Sequence, residues 1–198
     1  MKYKKLLAIV WQDLKQRQFI KKGDTFLVNK SNNWGLIDFQ KSRSSNKDHI
    51  LFTINLGVVS TSIRQALSGI TSSEKPSIMD CHWNKRIGFL LEQKKDFWWE
   101  INDGISIEEL SSKILNIIEL IAIPEIEMII TDDQLEERWM SNTAEGLTQL
   151  QRYQYLTTLL KIRKSENYYS VLEELKRISK GKSFEIAALE HIKELERI

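Results

Sequence analysis

The stretch Ile50-Leu51-Phe52-Thr53-Ile54-Asn55-Leu56-Gly57-Val58-Val59-Ser60 decides the fold. Phe52, Ile54, Leu56 and Val58 alternate with Thr53, Asn55 and Gly57. Successive side chains of an extended chain point to opposite faces, so the alternation predicts a strand with an apolar core face. Upstream, residues 34–41 predict a second strand, joined through a turn at Ser31-Asn32-Asn33 to a weaker strand over 25–29. The polar run 42–48 predicts a loop. Downstream, residues 82–90 alternate with Trp83, Ile87 and Phe89 on one side, and 97–101 predict a short fifth strand after a turn at Lys94-Lys95-Asp96.

Helical patterns flank these strands. Residues 3–18 carry Leu6, Leu7, Ile9, Val10 and Leu14 on one face, and Lys21-Lys22-Gly23-Asp24 stops the helix. Residues 61–67 predict a short helix, followed by a Ser/Thr-rich loop to Pro76. Residues 106–123 predict a strong helix, with Ser106 as its N-cap, Glu109 three residues on and Pro124 just beyond its end. Further helices are predicted at 125–140, 147–164, 168–180 and 183–197, with Gly181 as a C-cap between the last two. Strands followed by helices, rather than alternating with them, predict an α+β fold. Its mainly antiparallel sheet of about five strands packs against helices and precedes a helical C-terminal region. The expected division is an α+β domain over 1–143 and a helical extension over 144–198, packed on the first.

With 41% hydrophobic and 28% charged residues, the 198-residue chain is globular in composition. Cys81 is the only cysteine, which precludes an internal disulfide and fits a reducing compartment. The short apolar run near the N-terminus is interrupted by Gln12, Asp13 and Lys15, unlike a signal peptide. No stretch approaches the roughly 18 apolar residues that span a bilayer. These features predict a cytoplasmic protein with no membrane partner. The net charge of +2 conceals an asymmetry. Residues 1–50 hold eleven Lys and Arg against four Asp and Glu, whereas 100–145 hold two against twelve. Either the two segments face each other across the fold, or the first is a basic surface for acidic partners.

Four segments carry a family likeness. Phe19-Ile20-Lys21-Lys22-Gly23 follows the first helix, and Phe39-Gln40-Lys41-Ser42 comes next. Phe52-Thr53-Ile54-Asn55-Leu56-Gly57 follows, and Trp98-Trp99-Glu100 comes after Arg86-Ile87-Gly88. In order and spacing they resemble the DUF4304 family of bacterial domains of unknown function, over roughly residues 3–140. The resemblance implies no catalytic residue, because the family has no established activity.

The residues themselves show no catalytic signature. Gly-rich phosphate loops, paired metal-binding histidines, Cys-x-x-Cys and Gly-x-Ser-x-Gly are all missing from the sequence. No catalytic residue, metal or cofactor is therefore expected. Cys81 beside His82 suggests a thiolate, but neighbouring strand residues point apart. A polar constellation stands out instead. With Ile37 and Phe39 inward, Asp38 and Gln40 share the opposite face, flanked by Trp34 of the same parity. Thr53 and Asn55 oppose the core set of their own strand, as Arg86 does on the next. If the strands are neighbours, Asp38, Gln40, Thr53, Asn55 and Arg86 gather on one face, where the guanidinium offers a fork for a planar anion. The alternative is an ordinary solvated sheet face holding a cross-strand ion pair. Of Trp98 and Trp99, one faces inward and the other needs cover from the protein's own helices, a partner or a ligand.

The leading functional reading is a non-enzymatic binding or protein-interaction domain, with another protein as its partner. The alternative is an anion-binding protein or enzyme using the polar face around Arg86. Nucleic-acid binding through Lys2, Lys4, Lys5, Lys15, Arg17, Lys21, Lys22, Lys41 and Arg43 ranks third, for want of an aromatic-interleaved signature.

Overall fold

The structure, a computed structural model, describes residues 2–70, 74–142 and 146–198. The chain folds as α+β. Helix α1 (Lys2–Gln16) leads into β1 (Ile20–Lys22), β2 (Thr25–Lys30), β3 (Asn33–Lys41) and β4 (Ile50–Val59). Helix α2 (Thr61–Ser68) precedes β5 (Trp83–Arg86) and β6 (Trp99–Ile101). Then come α3 (Ile107–Ile117), α4 (Ile123–Glu127), α5 (Asp132–Met140), α6 (Gln149–Ile162), α7 (Tyr168–Ser179) and α8 (Glu185–Leu195). Every strand pairing is antiparallel, in the order β1-β2-β3-β4-β5, with β6 also on β4.

β4 is the hub. Phe52, Ile54, Leu56 and Val58 are fully buried on its front face, beneath α1, α3 and α4. An aromatic row crosses that face: Phe26, Phe39, Phe52 and Trp99 have successive ring separations of 5.6, 5.9 and 5.6 Å. Tyr3 of α1 meets Phe52 edge-on at 5.6 Å. The back face is only partly polar. Leu27, Trp34, Leu36, Val59 and Cys81 form a second buried cluster there. Gly57 makes this possible, because a Cβ at that position would lie 2.3 Å from Cys81 Sγ. Trp34 thus joins an apolar cluster rather than a polar one.

Several elements differ from expectation for local reasons. β1, three residues long with two lysines, occupies part of the expected turn; the helix stops earlier, at Gln16, and the chain turns at Gln18 in a left-handed conformation (φ 64°). The expected fourth strand ends at Arg86, and Ile87–Phe89 turn away as a 3-10 segment, leaving Phe89 50% exposed. Gly88 is where they turn, since its backbone lies too close to Lys95 and Phe97 for any Cβ. That departure leaves β4 residues 50–52 free to pair with β6. The helix at 106 does not stop before Pro124. A π turn at Ile118–Ala122 carries it into α4. In regular α geometry the proline ring would strike the carbonyl four residues back, and the wider π turn relieves that clash. The expected helix 125–140 is broken by a new start at Thr131, whose capping box with Gln134 is a helix signal of its own. Of the expected Ser/Thr-rich loop, residues 71–73 lie outside the described residues, as does the expected domain boundary at 143/144.

The C-terminal helices share the front core. α6 buries Tyr153, Leu156, Leu159 and Leu160, and is packed by α2, α5, α7 and α8. Within it, Thr157 Oγ1 lies 2.8 Å from Nε2 of the buried His191.

Truncating Ile54 or Leu56 to Ala should cost about 2–5 kcal/mol in chemical denaturation, the range for a buried aliphatic deletion. A loss below about 0.5 kcal/mol would contradict the register described here. A second expectation concerns acid. Burial lowers the pKa of both His82 and His191 to about 4. Below the ordinary value of about 6.5 the unfolded chain takes up protons that the folded chain refuses, so stability falls as pH drops from 6.5 towards 4. Each histidine should contribute a loss of about 1.5 kcal/mol between pH 6.5 and 5. Urea titrations across that window should slope less for His82→Asn, whatever its overall stability; an unchanged slope would count against His82 as a source.

Candidate functional site

The sheet register sets the polar strip. Thr25 of β2 lies opposite Asp38 of β3, Asp38 opposite Asn55 of β4, and Asn55 opposite Arg86 of β5. Gln40 lies opposite Thr53. All share the back face, because each is out of phase with the front-facing apolar residues of its strand. Asp38, Gln40, Thr53, Asn55 and Arg86 are therefore together on that face. Trp98 is adjacent, in the chain just before β6.

The side chains form a hydrogen-bonded series. Thr25 Oγ1 donates to Asp38 Oδ1 at 2.7 Å. Asn55 Nδ2 donates to Gln40 Oε1 at 2.9 Å and, more weakly, to Asp38 Oδ2 at 3.4 Å. Its Oδ1 accepts from Arg86 Nε at 3.4 Å. Arg86 also donates to Asp96 Oδ2 at 2.7 Å, and Trp98 Nε1 donates to the same oxygen at 3.1 Å. The guanidinium sits 5.2 Å from the Trp98 ring centroid, a cation–π contact. The outward tryptophan is thus met by an arginine. Trp99 points the other way, buried and stacked on Phe52.

Two members have evident structural duties. Thr53 is fully buried, and its hydroxyl donates to the Phe97 carbonyl at 2.8 Å, tying the 96–98 segment to the sheet. Asp96 is held below the usual carboxylate range, chiefly by its hydrogen bond from Arg86. The half-buried Asp38, Asn55 and Arg86 and the exposed Gln40 remain accessible. Beside them an open hollow of about 580 Å³ is lined by Asn55, Asn84, Lys85, Arg86, Phe89 and Gly146. Thr25, Asp96 and Phe89 were not foreseen from the sequence. Asp96 carried the one usable signal, its place two residues from Trp98.

The remaining candidates resolve as packing. Cys81 and His82 both precede β5, and both are buried. Burial pushes the Cys81 thiol well up, so it stays protonated. His82 Nδ1 accepts from the Ser60 backbone at 2.9 Å, and its ring meets Tyr155 edge-on at 4.6 Å. Among the described residues no group of His, Cys, Asp and Glu is arranged to hold a metal ion, and no helix is long and apolar enough to cross a membrane. The basic and acidic segments do face each other: Lys5 pairs with Glu108, Arg17 with Glu119 at 2.9 Å and Lys30 with Glu127 at 2.6 Å.

A family model described as a domain of unknown function, DUF4304, matches residues 10–127, more than half of the chain. No curated protein and no solved structure matches it.

Arg86→Ala should lower stability by only about 1 kcal/mol or less, since a half-exposed ion pair and one cation–π contact contribute that little. Thermal or urea melts check this. A loss of several kcal/mol would make the strip a structural network, with Asp96 and Asn55 dependent on the guanidinium.

Proposed function

The chain belongs to the DUF4304 family of domains of unknown function, and on that premise we propose that it is a non-enzymatic protein-interaction domain of the bacterial cytoplasm. Its contact surface is the strip around Arg86. One observation carries this reading: the Arg86 guanidinium lies over the Trp98 ring and is held by Asp96, beside the half-exposed ring of Phe89. Arginine and tryptophan dominate binding energy at interfaces, and an anchor ordered before contact loses less side-chain freedom on binding. The open hollow next to it suits a protruding side chain or loop of a partner better than an enclosed small molecule.

The second reading, an anion or enzyme substrate gripped by Arg86, meets an obstacle. Asp96 already accepts from the guanidinium at 2.7 Å and offsets part of its charge. Nucleic-acid binding by the N-terminal segment is weakened by the acidic partners of Lys5, Arg17 and Lys30. A cytoplasmic setting is supported by the lone, buried Cys81. The same reading treats 144–198 as a helical extension on the 1–143 domain, in keeping with a family match that ends at residue 127.

Tagged wild-type protein, Arg86→Ala and Trp98→Ala should be compared in pull-downs from the native organism, with each captured protein then purified and its affinity measured. Affinity should fall at least about tenfold for both variants, the effect of losing a hot-spot side chain worth about 1.4 kcal/mol or more. A partner held equally by wild type and both variants would place the contact elsewhere.

A further inference from the structure

A second surface, sharing no lining residue with the Arg86 hollow, lies where α1 begins beside the ends of β3, β4 and β6. There a hollow of about 380 Å³ gathers Lys2, Lys4, Lys41 and Lys47 around the apolar side chains of Ile50 and Ile101. Its lysines stand apart from the ion pairs that neutralise other parts of the basic segment. Lys5, Arg17 and Lys30 of the basic segment each meet a carboxylate. Lys2 is committed to the carbonyls of Asn102, Asp103 and Ile105 at 2.8, 2.7 and 3.1 Å. Among the described residues, the Lys4 and Lys47 ammonium groups have no hydrogen-bond or ion-pair partner, and Lys41 has only the Tyr3 ring, 5.1 Å away.

The surroundings are ordered. The loop bearing Lys47 is tied by Asn46 Oδ1, which accepts from the backbones of Asp48 and His49, both at 2.9 Å. Ser45 Oγ bonds both backbone groups of Leu51, at 3.0 and 3.1 Å. Two carboxylates, Asp48 and Asp103, also line the hollow. They temper its positive charge and offer acceptors to hydroxyl groups. Ammonium groups for an anion, carboxylates for hydroxyls and an apolar floor for a ring are complementary to one chemical class. The geometry points to a binding site for a small phosphorylated nucleoside, at the level of a nucleoside mono- or diphosphate.

Calorimetry and amide chemical-shift mapping of the whole chain with ADP, pyrophosphate and adenosine, at low salt, test this. ADP should bind one-to-one, about tenfold more tightly than either pyrophosphate or adenosine, as expected if ring and phosphate each contribute about 1.4 kcal/mol or more. Shifts should centre on Tyr3, Ile50 and Ile101. Lys41→Ala/Lys47→Ala should weaken ADP at least about tenfold and leave the thermal midpoint unchanged, as neither ammonium group is hydrogen-bonded among the described residues. Lys47→Ala alone, in an exposed loop, serves if the double variant is unstable. Three results would overturn the site: no saturable ADP binding at millimolar concentration, ADP affinity unchanged in the lysine variants, or binding confined to a single-stranded oligonucleotide. The last would mark a nucleic-acid surface instead.

Discussion

The structure depends on the burial of one strand, β4, whose front face is fully covered and whose two edges are paired. β3 runs along one edge, and β5 and β6 divide the other between residues 55–58 and 50–52. With Phe52, Ile54, Leu56 and Val58 all sealed, a one-residue slip would place four large apolar side chains against the polar strip. The register is therefore fixed by a large hydrophobic penalty, and every alignment on the back face follows from it. Thr25, Asp38, Asn55 and Arg86 lie in line on the back face in this register, and a one-residue slip would turn them to the front.

The back face answers to two demands. At one end, Gly57 lets Cys81 close down and the second apolar cluster shields the sheet. At the other, Thr53 anchors the 96–98 segment, which brings Asp96 and Trp98 to Arg86. Between these covers the sheet stays partly open. Its polar groups are mutually satisfied, so the strip is inexpensive to keep folded and already arranged for contact. The abrupt end of β5 at Arg86, with the turn at Gly88, serves both sides: it frees β4 for β6 and turns Phe89 outward beside the hollow.

Charge is organised at the same scale. The basic first quarter of the chain and the acidic segment after β6 are brought together by α1 packing on α3. Their ion pairs are exposed and individually weak. Their larger effect is to cancel part of the basic surface, while the lysines around Ile50 and Ile101 stay outside those pairs.

Much of this was legible from periodicity. The alternation at 52–58 located the core strand and, with strand parity, put Asp38, Gln40, Thr53, Asn55 and Arg86 on one face. The Ser106 cap and the apolar face of 6–14 located the main helices. Such readings succeed because a strand or helix repeats its geometry residue by residue, and the repeat is printed in the sequence. The end of β5 at Arg86 and the pairing of β6 were not legible, because each is settled by backbone distant along the chain. The same holds for Asp96. Beyond its place two residues from Trp98, nothing in Lys94-Lys95-Asp96 distinguishes a surface turn from the partner of Arg86; the buried Thr53 hydroxyl, reaching the Phe97 carbonyl from 44 residues away, helps bring them together. The sequence by itself determined which residues share a face, since that depends on local repeat. Tertiary structure alone decided which neighbours complete that face, since that depends on contacts no local repeat encodes.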